Sequence, residues 1–74
     1  MNEATWTQIH TNGASTTFAR WYTGQKDSGE TTFVFEKMEV DITAGGHAEV
    51  FGREDFDTAE SAQWRVRVAL QEQQ

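Results

Sequence analysis

Along residues 37–42 apolar and charged side chains alternate without a break: Met38, Val40 and Ile42 take one parity, Lys37, Glu39 and Asp41 the other. A period of two is that of a strand with one face on a core and one in water. The strand is expected over residues 31–43. Its first half changes phase, because Phe33 and Phe35 share the parity of Lys37 and Glu39 and oppose Val34 and Met38. A bulge near Glu36-Lys37 returns both phenylalanines to the Met38 side; without one they stay with the charges. Residues 47–52 read as the next strand. With Ala44-Gly45-Gly46 as a three-residue loop, Ile42 meets Ala48 and Val40 meets Val50, which keeps both apolar sets on one side.

Upstream, Asn12-Gly13 separates two runs rich in threonine and aromatic residues. That dipeptide tolerates positive φ at both turn positions and signals a hairpin of residues 5–11 and 14–23. A two-residue turn there pairs Thr7 with Phe18, Ile9 with Thr16 and Trp6 with Ala19. Ile9, Phe18 and Tyr22 then share one face, and Trp6, Ala19 and Trp21 the other; both carry apolar side chains, and the pattern leaves open which is buried. The polar stretch from Gly24 to Gly29 ends this hairpin.

At the C-terminus Asp57 and Glu60 form a capping-box variant, with Phe56 in the staple position. Helix formers follow, and Ala59, Ala62, Val66, Ala69 and Leu70 make a stripe at helical spacing. Trp64, Val66, Val68 and Leu70 also alternate with Arg65 and Arg67, as a strand would; the cap and the composition favour the helix. The expected fold is a single small α+β domain over 1–74, a four-stranded antiparallel β-meander with one C-terminal helix packed on a face. An all-β small barrel is the alternative if residues 64–70 are a strand.

Composition narrows the chemistry. In 74 residues there is no cysteine and no proline, which removes disulfide scaffolds, thiolate metal sites and cysteine nucleophiles. No uninterrupted apolar run is longer than three residues, as at 33–35, too short for a membrane span. Residues 1–5 lack the basic and apolar segments of a signal peptide, so a cytoplasmic location is expected. Twelve acidic residues against six basic ones give −6. Residues 1–29 and 58–74 are each neutral. Glu30, Glu36, Glu39, Asp41, Glu49, Glu54, Asp55 and Asp57, against Lys37 and Arg53, hold the whole of the excess.

In the register above, Asp41 faces Glu49 and Glu39 faces Phe51, on the side away from Met38, Val40 and Ile42. Like charges opposed across a strand pair weaken a sheet. The candidate partner-binding residues are therefore Glu36, Glu39, Asp41, Glu49, Phe51, Glu54 and Asp55. Trp21, on a face the helix need not cover, and Trp64, on the far side of the helical stripe, are candidate aromatic anchors.

His47-x-Glu49 with Asp41 is the nearest approach to a catalytic or metal constellation. No calcium loop, phosphate-binding loop or nucleophile elbow accompanies it. No catalytic residue, metal site or cofactor is expected, and the chain is not expected to be an enzyme. An acidic surface repels phosphate and anionic lipid, so neither direct nucleic-acid binding nor membrane contact is expected; the partner should be basic. The expected function is that of a small acidic non-enzymatic binding protein that docks on and inhibits a basic, nucleic-acid-binding protein surface. Small inhibitors encoded by phages and mobile elements, anti-CRISPR proteins among them, act as nucleic-acid mimics of this kind, and the likeness is one of size and charge. The alternative is a structural or oligomerising module, a small complex subunit or homodimer, that uses an exposed aromatic surface.

Overall fold

The computed structural model describes residues 3–42 and 45–72. Strands β1 (Thr7–Asn12), β2 (Ser15–Gln25), β3 (Thr31–Asp41) and β4 (His47–Phe56) precede one helix, α1 (Ala59–Glu72). The strands form an open antiparallel sheet in chain order, β1-β2-β3-β4, with α1 packed on one face. This is the α+β meander, and residues 64–70 are helical.

Strands β2 and β3 pair without irregularity from Ser15 opposite Asp41 to Gln25 opposite Thr31. Parity therefore fixes the face of every residue in both. The helix-bearing face carries Ala19, Trp21, Phe33 and Phe35. Ala62, Val66 and Ala69 of α1 cover them, with Ile9 joining from β1 and Phe56, Ala59 and Leu70 at the margin. Alanines at three of these helical positions let the helix sit close over Phe35 and Trp21. Each large side chain buried this way contributes about 1.5–3 kcal/mol.

The register of β3 with β4 does shift between Glu36 and Lys37, yet the additional residue lies on β4. Glu36 pairs with Arg53 and Lys37 with Phe51, leaving Gly52 between them. Gly52 has φ of 69°, a left-handed conformation that glycine adopts without steric cost. Because β3 itself is regular, Phe33 and Phe35 remain on the side of Lys37, Glu39 and Asp41, and that side is the one the helix covers. The face of Met38, Val40 and Ile42, which alternation marked as the core, is the open one.

Both hairpins are offset from expectation. In the second, Asp41 and His47 close the pairing, Val40 meets Ala48 and Met38 meets Val50. The offset is two residues, and so it keeps the two apolar sets together on one side. Residues 43 and 44 of the expected strand and loop lie outside the described residues. In the first hairpin Asn12 pairs with Ser15, so Gly13 and Ala14 occupy the turn. Gly13, with φ of 63°, stands where a type II′ turn requires glycine. Ile9 is an additional residue between the Gln8–Phe18 and His10–Thr17 pairs. It turns Ile9 in beneath the helix, while Trp6 lies on the open face against Arg20. The two side chains have exchanged the faces that a regular hairpin gives them.

The helix cap is Thr58 rather than Asp57. The Ser61 N–H donates to Thr58 Oγ1 at 3.1 Å, and the Thr58 hydroxyl donates to Ser61 Oγ at 2.9 Å. The fourteen residues of α1 span about 21 Å, whereas eleven-residue strands run about 37 Å. The helix therefore covers the end of the sheet near Phe33 and Phe56 and leaves the end near Asp41 and His47 bare.

Candidate protein-binding surface

On the bare end of the helix-bearing face, alternation lines up Lys37, Glu39 and Asp41 on β3 beside Phe51, Glu49 and His47 on β4. Glu39 lies directly opposite Glu49 and Asp41 opposite His47. Directly opposed side chains have Cβ atoms about 4.5–5.5 Å apart, so the two glutamates meet like charge with like. His47 Nε2 stands 4.0 Å from Glu49 Oε2, and the Lys37 ammonium lies 5.9 Å from the Phe51 ring centroid. His47, Glu49 and Phe51 are all exposed.

The other expected site residues are placed elsewhere. Glu54 lies on the same face but nearer the helix, where the Arg65 Nε donates to its carboxylate at 2.8 Å. The Arg65 guanidinium also lies 4.6 Å from the Phe35 ring centroid, so it closes the helix margin over the core. Glu36 and Asp55 belong to the opposite face. Glu36 is only 7% exposed and accepts a 2.6 Å hydrogen bond from Arg20 Nε. Arg20 in turn stacks between Trp6 and Tyr22, at 4.5 and 4.8 Å from their centroids.

Asp55 accepts from Arg53 Nε at 3.1 Å and from the Thr32 hydroxyl at 3.2 Å. The hydrogen bond from Arg53 holds the Asp55 carboxyl below its usual value, aided by Thr32, and Asp55 raises Arg53 in return. Trp21 is a core residue, 6% exposed, and offers no ring to a partner. Trp64 is 59% exposed on the outer side of α1, apart from the acidic end.

Of the nine candidates the fold thus gathers Glu39, Asp41, Glu49 and Phe51. Alternation along the chain does not predict the Arg20–Glu36 and Arg65–Glu54 pairs. Each depends on register or on helix placement, and neither leaves a spacing signal in the chain.

The two faces of β2, β3 and β4 differ in charge. The helix-bearing face has four carboxylates, Glu39, Asp41, Glu49 and Glu54, against Lys37, an excess of three negative charges. The open face has Glu36 and Asp55 against Arg20 and Arg53, and is neutral. Among the described residues no pocket opens. No group of three His, Asp or Glu side chains there lies close enough to hold a metal ion, so His47, Glu49 and Asp41 do not form one. Among the described residues no helix is long and apolar enough to cross a membrane. No protein family, curated protein or solved structure matches the chain.

Proposed function

We propose that the chain is a non-enzymatic binding protein that docks the acidic end of its helix-bearing face on a basic protein surface and keeps nucleic acid from it. The observation that carries this reading is the opposition of Glu39 and Glu49 on the bare end of that face. Such a pair costs the isolated sheet stability, and a cation brought by a partner removes the cost. The three-charge excess on this face attracts a basic groove before contact and competes there with phosphates. Phe51, 42% exposed beside the acids, gives the contact an apolar anchor. On this reading the protein works in the cytoplasm beside its partner.

The test compares wild type with the Glu39→Lys/Asp41→Lys/Glu49→Lys variant in capture from a host extract, washed at low and at high salt. A genuine partner is basic, is released by salt, is lost by the variant and is displaced by added duplex DNA or RNA. Capture that survives both salt and charge reversal refutes the reading.

A further inference from the structure

The open face of the sheet is apolar at the same bare end. Phe18 on β2, Met38 and Val40 on β3, and Ala48 and Val50 on β4 adjoin one another there. Ile42 follows one residue past β3, its N–H donating to the Ala14 carbonyl at 3.1 Å. Val50 is 55% and Ile42 72% exposed. Exposed apolar patches with a polar margin mark interaction sites. Here the margin is the Arg20–Glu36 and Arg53–Asp55 pairs, with Trp6 and Tyr22 stacked on Arg20.

We infer that this face is the contact of a homodimer in which two sheets pack face to face about a two-fold axis. Charge selects a second copy as the occupant. The chain carries −6, yet this face is neutral and every charged group on it is already paired, so two copies meet here without repulsion. A strongly basic partner gains nothing from such a face. The carboxylates of Glu39, Asp41 and Glu49 project from the opposite side, away from the contact.

Size fits as well. Strands of six, eleven, eleven and ten residues at about 3.4 Å each, about 4.8 Å apart, present roughly 600 Å². A standard interface takes about 800 Å² per partner. An apolar centre inside a polar margin is the anatomy of such interfaces, and two antiparallel sheets stacked about 10 Å apart form a sandwich. The resulting dimer turns both acidic ends outward.

Sedimentation of the full chain over the micromolar range tests this. The expected species has twice the 8.4 kDa mass of the chain and dissociates on dilution. Val50→Lys and Ile42→Lys each replace an exposed side chain, keep the far-ultraviolet dichroism of the fold, and weaken association by about tenfold or more. Glu49→Lys and Trp64→Ala leave the mass unchanged. The inference is overturned by a monomer at the highest concentration, by a dimer that withstands both lysine substitutions, or by one that Trp64→Ala alone dissociates. Because Glu49 and Val50 point to opposite faces, loss of partner capture and loss of the dimer are separate readouts.

Discussion

Arg20 holds three groups at once: the Glu36 carboxylate and the rings of Trp6 and Tyr22. Removing it strands a buried carboxylate, whereas removing both charges leaves an apolar layer. Arg20→Leu is expected to destabilise the fold by about 3 kcal/mol, and Arg20→Leu/Glu36→Leu to recover most of that, in urea unfolding. Asp55 adds to the acid sensitivity of the fold. Its folded carboxyl titrates below the 3.8 of an unperturbed aspartate. Between the two values the unfolded chain binds more protons, so the pair stabilises the fold above 3.8 and loses its effect as pH falls through the folded value. Asp55→Asn should therefore narrow the stability gap between neutral and acid pH in melting experiments. At this scale alternation showed where acids stand along β3 and β4. It did not show that Glu36 and Asp55 meet arginines, since that requires the residue opposite to be known.

Among the elements, β3 determines the architecture, and its two halves present apolar side chains on opposite faces. The change of parity at Glu36-Lys37 was legible in the sequence. Two outcomes were open, a bulge in β3 or apolar halves left on opposite faces. The fold uses the second, and places the irregularity in β4 at Gly52. Beyond its two chain neighbours, no described residue comes within 4 Å of where a Gly52 side chain would begin, so substitution there is strained by conformation alone. Gly52→Ala is expected to cost about 1–2 kcal/mol, and Gly52→Asn less, by thermal unfolding. The helical stripe from Ala59 to Leu70 was legible because five positions repeat the period. The turn at Asn12-Gly13 was misplaced by one residue, since Gly13 also serves as the first central residue of a II′ turn and only cross-strand packing decides between the two. The additional residue at Ile9 carries no glycine to announce it.

For the molecule as a whole, the local origin of the −6 charge was visible by counting along the chain. Its division into an acidic and a neutral face was not, because a face exists only once strands are paired. A helix that covers one face only, and is shorter than the sheet, leaves two bare surfaces at one end, one acidic and one oily. If the proposed function and the inferred dimer both hold, the outward acidic ends would give two binding sites in one particle, and a partner with repeated basic surfaces would be held by avidity. The chain-order arrangement of the strands has a further consequence, for how the protein forms. Every strand pairs only with its immediate neighbour along the chain, so each pairing closes a short loop and needs little chain entropy to be surrendered first. Such local topologies reach the native state quickly. The C-terminal helix, which touches all four strands, finds its full seat only after the last hairpin is in place.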